Sequence, residues 1–210
     1  MNLTKTVENL QKNRMNVIVV NNKEDAFNTL KELLHDGATV THGGSVTLNE
    51  CNIPALLKNG NYQYLDRSAV ADPMEVYQKG YGADFYLSST NAITENGELY
   101  NVDGNSNRIS ALCFGPQKVI IIAGQNKIVP TLEDAILRVK TIAAPKNAFR
   151  LKCDTYCAKA GKCVSLSKDN PTMTDGCNSD KRICCNYLVS SLQRDPNRIT
   201  VIIVKENLGY

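Results

Sequence analysis

Apolar and polar positions alternate along this chain in two rhythms. Leu3, Val7 and Leu10 form the stripe of an N-terminal helix. The β-branched run NVIVV, residues 16–20, then predicts a short, fully buried strand. In NKEDAFNTLKELLHDG, Ala26, Phe27, Leu30, Leu33 and Leu34 recur at helical spacing, and Gly37 is the expected residue just past that helix. ATVTH reads as a second strand running into Gly43-Gly44-Ser45, after which Thr47 and Glu50 have the spacing of a capping box opening another helix. Helix, strand, helix, strand, glycine turn, helix is the order of a parallel α/β sheet flanked by helices.

The middle of the chain changes rhythm. ADFYLSST is a strand ending in small polar residues, and NAITENGELYNVDG sets Asn96-Gly97 between two short extended runs, the signature of a hairpin. KVIIIAG, residues 118–124, returns to the buried-strand pattern. TLEDAILRVKTIAAP predicts an amphipathic helix through Leu132, Ala135, Ile136, Val139 and Ile142, which Pro145 is expected to stop. A last strand, RITVIIVKE, follows a cysteine-rich stretch, so that stretch interrupts the α/β core. The expected organisation is one α/β domain over residues 1–210 with a cysteine-rich insertion at 153–185.

Composition narrows the classes. The chain has 210 residues, enough for one substantial core, and its 42% hydrophobic content is that of a globular protein. A net charge of +3, from 24 basic and 21 acidic residues, gives no argument for nucleic acid or a membrane surface. The N-terminus MNLTKTVENLQKNRM lacks the apolar centre of a signal peptide. No stretch approaches the roughly 20 apolar residues of a membrane span. A cytoplasmic location is expected, where stable disulfides are rare.

Two polar clusters are candidates for chemistry. In HGGSVTLNE, Gly43, Gly44 and Ser45 lie between a strand and a helix, a setting suited to a phosphate or carboxylate. The motif matches neither the dinucleotide fingerprint nor the P-loop, and a tight turn capped by Ser45 or Thr47 is the plain alternative. His42 reads as a neutral loop residue. In SSTNAITENGELYNVDGNSNR, the residues Asn91, Thr94, Asp103, Asn107 and Arg108 exceed what a hairpin requires. Arg108 suits bidentate binding of an anion, with an internal Arg–Asp tie to Asp103 as the alternative.

Several blocks carry a family resemblance. GGSVTLNE, SSTNAITENGELYNVDGNSNRISA, FGPQKVIIIAGQNKIV and EDAILRVKTIAAPKNAFRL resemble the LUD-domain family of lactate-utilisation proteins, over nearly the whole chain from about Leu3. The resemblance implies a fold like that of ribose-5-phosphate isomerase, glucosamine-6-phosphate deaminase and the CoA transferases. It also implies a setting beside other lactate-oxidation subunits, some of them iron–sulfur proteins. One branch of the family ends in a pattern like PCAxxGKCxxCxxxxRIC, onto which Cys157, Cys163, Cys177 and Cys184 fall as four metal ligands. Tyr156 replaces the usual proline, SLSKDNPTMTDG lengthens the second gap, and Cys153 and Cys185 are extra. The longer loop costs little, since closure entropy grows only logarithmically.

The occupant is argued from spacing and chemistry. Cys-x5-Cys, Cys-x13-Cys and Cys-x6-Cys fit the close pairs of structural zinc poorly. A 4Fe-4S iron–sulfur cluster tolerates irregular spacing, and Lys159, Lys162, Lys181 and Arg182 are expected to offset its charge. Zinc and free or redox-active thiols are the alternatives. Cys51 and Cys113 read as small core residues, and residues 165–176 as a solvated, dispensable loop. The expected function is binding of a small anionic metabolite beside a cluster in a redox or Lewis-acid role. Two alternatives stand beside it: a non-catalytic accessory subunit, and a sugar-phosphate isomerase-like or CoA transferase-like enzyme with Glu50 or Asp103 as base. No nucleophile–base pair is evident, so catalytic residues stay unassigned.

Overall fold

Six parallel strands carry the larger sheet of the computed structural model, which describes residues 1–210. Numbered along the chain, their spatial order is β1 (Asn16–Val20), β10 (Ile199–Val204), β7 (Lys118–Gly124), β4 (Phe85–Ser88), β2 (Thr39–His42) and β3 (Gln63–Tyr64). The central strands β7 and β10 are almost entirely apolar because both faces are covered. Ile120, Ile122, Ile202 and Val204 pack against α2 (Lys23–Leu33), α3 (Val46–Glu50) and α4 (Ile53–Asn59) through Leu30, Leu48, Ile53 and Leu57. On the other face, Val119, Ile121, Val201 and Ile203 meet α1 (Leu3–Lys12), α6 (Asn107–Cys113) and a second sheet. NVIVV is not a fully buried strand. It forms the sheet edge, paired with β10 alone, and Val19 is 37% exposed because no strand lies beyond it.

The second sheet runs β8 (Ile128–Val129), β5 (Ala92–Thr94), β6 (Leu99–Asp103) and β9 (Asn186–Ser190). Period-two alternation splits it: Ile93, Leu99 and Ile128 face the large sheet, while Ala92, Tyr100 and Val102 face α7 (Leu132–Arg138). The hairpin β5–β6 turns through Asn96-Gly97, and the side chains of Asn9 in α1 and of Asn13 just past its end donate to its carbonyls at Glu95 (2.7 Å) and Gly97 (2.8 Å). Gly97 has φ +82°, and a Cβ there would collide with the α1 backbone at Asn9, so glycine is required twice over.

Local chemistry departs from the sequence pattern at three points. Gly37 does not cap α2; the helix already ends at Leu33, with Leu34 extended, and Gly37 serves a later turn where its N–H donates to Asn61. Thr47 and Glu50 form no capping box, since Ser45 caps α3 and Thr47 is buried. A capping box does form at Thr131–Asp134, opening α7. Pro145 does not stop the following helix. A π-turn at Val139–Ala143 intervenes, and α8 (Ala144–Arg150) continues with Pro145 buried inside it. In that turn the Ala144 N–H reaches back to Val139, and the Lys140 carbonyl is free to accept the N–H of Cys163 at 2.8 Å. The cysteine-rich stretch is thereby stitched to the helix. It contains the short α9 (Tyr156–Ala160) and returns through β9, antiparallel to β6. No helix is long and apolar enough to cross a membrane.

Candidate functional site

The carboxyl ends of β2, β4 and β7 open onto one polar pocket, the position where parallel sheets hold ligands. Gly44, Ser45 and Thr47 reach it from the turn after β2, Ser89, Thr90 and Asn91 from the end of β4, and Lys127 from the turn after β7. Arg108 of α6, Asn147 and Arg150 of α8, and Tyr210 complete the walls. The enclosed space is about 80 Å³, several water volumes and well short of a dinucleotide. A wider groove of about 300 Å³ continues outward past Arg67, Asp103, Asn107 and Arg182. Both glycines after β2 are close-approach positions. A Cβ on Gly43 would lie 2.8 Å from the Tyr86 hydroxyl, and one on Gly44 would lie 2.6 Å from the Arg67 guanidinium.

Arg108 is held as a donor fork. Its guanidinium donates to Asn101 Oδ1, Asn91 Oδ1 (3.0 Å) and the Val102 carbonyl (2.6 Å). The Asn91 side chain is itself fixed by the Val102 N–H at 2.8 Å. Asp103 makes no tie to the guanidinium; its carboxylate accepts the backbone N–H groups of Arg108 (2.9 Å) and Ile109 (3.2 Å), capping α6. Burial lowers the Arg108 pKa, and the adjacent Asn101 Nδ2 is buried with no partner.

Lys127 is almost fully buried, 3% exposed. Its amine donates to Thr47 Oγ1 at 2.8 Å and Ser89 Oγ at 2.9 Å, and the Thr47 hydroxyl in turn donates to the Leu208 carbonyl at 3.4 Å. Burial pushes the Lys127 pKa down to about 7, reinforced by the charges of Arg138 and Arg108 and opposed by Glu50. Glu50 is engaged elsewhere, accepting the Gly209 N–H at 2.6 Å. No ion pair in the structure includes Lys127 or any arginine.

Of the residues expected at the site, Gly44, Ser45, Asn91 and Arg108 line the pocket, while Asp103 and Asn107 line the outer groove. Gly43 backs the pocket through Tyr86 and Arg108. Thr94 does not belong: it is fully buried in the hairpin, and its hydroxyl donates to the Glu98 carboxylate. His42 is occupied at both ring nitrogens, with the Gly43 carbonyl and the Tyr64 hydroxyl each at 2.7 Å. Burial lowers its pKa below 6.5, which keeps it neutral.

On the far face of the second sheet, Cys157, Cys163, Cys177 and Cys184 line one cavity with Tyr100, Ile136, Val139 and Met173. No three His, Cys, Asp or Glu side chains converge tightly enough to hold a single metal ion. Burial raises the thiol pKa values of Cys157 and Cys184, against hydrogen bonds from Thr155 and Arg182 respectively. Among the cations expected to offset these thiols, Arg182 is in place, bonded to the carbonyls of Cys184 (2.9 Å) and Cys177 (3.1 Å). Lys159 instead pairs with Asp154 at the surface, and Lys162 and Lys181 are exposed. Lys140 supplies the other charge beside Cys163 and Cys184. Cys51 is buried in the core as expected, but Cys113 is exposed at the end of α6. Nor is the 165–176 segment a plain solvated loop. Ser165 is 1% exposed, Met173 and Asp175 wall the cavity, and Ser165, Thr172 and Asp175 receive the Lys140 amine.

A family model for the LUD domain matches residues 3–204. The chain belongs to the LUD domain family. A crystal structure of a DUF162 family protein from Deinococcus radiodurans shares the fold of this LUD-domain chain, with a TM-score of 0.56 at 14% identity over 96% of this chain and 95% of that one. Ribose 5 phosphate isomerase A from Neisseria gonorrhoeae is partly similar, with a TM-score of 0.36 at 15% identity over 52% of this chain and 54% of that one, too distant to carry an argument. No curated protein matches the chain. Within the LUD domain, Lys127, Thr47, Ser89, Asn147, Arg150 and Tyr210 are pocket residues that sequence reasoning missed. For Lys127 a signal existed: AGQNKIV puts a lysine between a buried strand and another apolar pair.

Proposed function

We propose that this LUD-domain chain binds a small anionic metabolite, a carboxylate or phosphate, in the pocket at the ends of β2, β4 and β7. The observation that carries the proposal is the guanidinium of Arg108, which has no carboxylate partner and faces the same cavity as the buried amine of Lys127. An isolated buried charge is costly, so such a site is completed by an anion from outside. Arg150 and Arg67 extend the positive lining outward, and the pocket volume restricts the deepest part of the ligand to a few heavy atoms.

The second half of the proposal is that Cys157, Cys163, Cys177 and Cys184 hold a 4Fe-4S cluster. Four thiols line one apolar-walled cavity, and their irregular spacing along the chain suits an iron–sulfur cluster better than the close cysteine pairs of structural zinc. Bound there, the cluster supplies one-electron chemistry or a Lewis-acidic iron. Arg182 lines the outer groove and bonds to the backbone of two of these cysteines, so the metabolite site and the thiol cavity share a wall. A cytoplasmic setting beside other lactate-oxidation subunits fits this reading.

Two measurements test it. Anaerobically purified protein is expected to contain iron and acid-labile sulfide, and Ser at any one of the four cysteines should remove them. Ser at Cys51, Cys113, Cys153 or Cys185 should leave the metal content unchanged. Zinc instead of iron, or a full complement in Cys157→Ser, overturns the cluster. For the metabolite, calorimetry with short carboxylates and phosphorylated acids should find a ligand whose binding is lost in Arg108→Ala. Absence of any ligand for the wild type overturns the anion site.

A further inference from the structure

The anion pocket contains a group that anion binding alone does not require. A lysine retained only for its charge is best served by a carboxylate or by three acceptors, one per N–H of an ammonium. Lys127 has neither. Its two partners are the hydroxyls of Thr47 and Ser89, and Thr47 Oγ1 is set as an acceptor because its own proton goes to the Leu208 carbonyl. Two acceptors complete the two N–H donors of a neutral amine and leave the nitrogen lone pair uncommitted.

The surroundings act in the same direction. Arg108 and Arg138 are near enough for their charges to disfavour a proton on Lys127, and Glu50 is turned to the Gly209 N–H. Desolvation next to another cation is the arrangement that makes a lysine nucleophilic at neutral pH. The amine is also addressed from the right side. Arg108 supplies a guanidinium for a carboxylate, while Ser45 and Thr90 add hydroxyls to the same cavity. A ligand filling both ends would place an anionic group on Arg108 and an electrophilic carbon at Lys127.

Resting on the anion-site reading above, we propose that Lys127 forms an imine with a small 2-oxo acid. The Lys127 nitrogen adds to the carbonyl carbon, both amine protons leave with the carbonyl oxygen as water, and a C=N bond replaces C=O. No oxidant or reductant is consumed. The carboxylate of the oxo acid stays on Arg108, and the hydroxyls around the nitrogen are placed to assist the departure of water. Once protonated, the imine draws electrons from the neighbouring carbon bonds, a task for which a neutral pocket lysine is needed and an arginine is useless.

Borohydride trapping decides the matter. The full chain, purified anaerobically, is incubated with glyoxylate or pyruvate, reduced with sodium borohydride, and analysed by intact mass and peptide mapping. One carboxyalkyl adduct per chain, located on Lys127 and absent from Lys127→Arg, is the expected result. No adduct, or adducts only on surface lysines, overturns the imine. Calorimetry separates the two levels: oxo-acid binding without trapping removes the imine and keeps the anion site, no oxo-acid binding with binding of another carboxylate or phosphorylated acid does the same, and no binding of any of these anions removes both. Since the wild-type measurement is decisive, a folding defect in Lys127→Arg would not rescue the proposal.

Discussion

Lys127 and Lys140 are both buried, at 3% and 6% exposure, and neither makes an ion pair, yet they sit in opposite kinds of surroundings. Lys140 gives its three donors to Ser165 Oγ (2.7 Å) and to the carbonyls of Thr172 and Asp175 (each 2.8 Å). That is the complete set for an ammonium, and it pins the cysteine loop onto the helix. Lys127 has two hydroxyls and an open pocket. Burial lowers both pKa values, but Lys140 is supported by Asp175 and the thiols of Cys163 and Cys184, whereas Lys127 faces cations. A buried lysine with all donors satisfied marks structure. One that lacks a third acceptor and faces a polar pocket is a candidate for chemistry.

Breaking the structural member of the pair should have the largest effect. Lys140→Met strands two carbonyls and a buried hydroxyl, and should destabilise the fold by about 3 kcal/mol in urea unfolding, with faster hydrogen exchange across residues 165–176. Lys127→Met should cost far less stability, yet weaken carboxylate binding at least tenfold, about 1.4 kcal/mol, by calorimetry. The next contrast is pH. Between about 7 and 10.5 the unfolded chain keeps a proton on Lys127 that the native chain has lost, so stability attributable to this residue rises with pH. The wild-type curve, minus that of Lys127→Met, should climb by up to about 1.4 kcal/mol per pH unit in that window; a flat difference would remove the depressed pKa. Thr94→Ala should have the smallest effect, about 1 kcal/mol of stability from the lost bond to Glu98, with ligand affinity unchanged.

The sheet was legible because KVIIIAG and RITVIIVKE are apolar on both faces and can only be central parallel strands. NVIVV has the same composition at an edge, since a strand's own residues do not say whether a neighbour lies beyond it. Arg108, Asn91 and Ser45 were legible because polar residues clustered at strand ends leave few alternatives. Thr94 misled because its neighbour in sequence, Asn91, reaches the pocket, while Thr94 itself lies inside the hairpin and bonds to Glu98. Lys127 stayed hidden because its partners, Thr47 and Ser89, stand 80 and 38 residues away. The 165–176 loop was read as solvent-facing from its polarity, when its backbone carbonyls are what the buried Lys140 needs.

The π-turn before α8 has a consequence for rotational phase. An ordinary helix advances about 100° per residue, and a one-residue widening of the turn shifts the phase of everything after it by about that amount. With the chain length unchanged, relaxing Val139–Ala143 to plain α-helix would swing Asn147 and Arg150 away from the pocket and withdraw the Lys140 carbonyl from Cys163. Pro145 forbids that relaxation, because it has no N–H to close the narrower turn and its ring would strike the carbonyl of Thr141. The proline thus works as a phase lock. One imino ring sets the angular position of both the polar pocket's outer wall and the anchor of the cysteine loop.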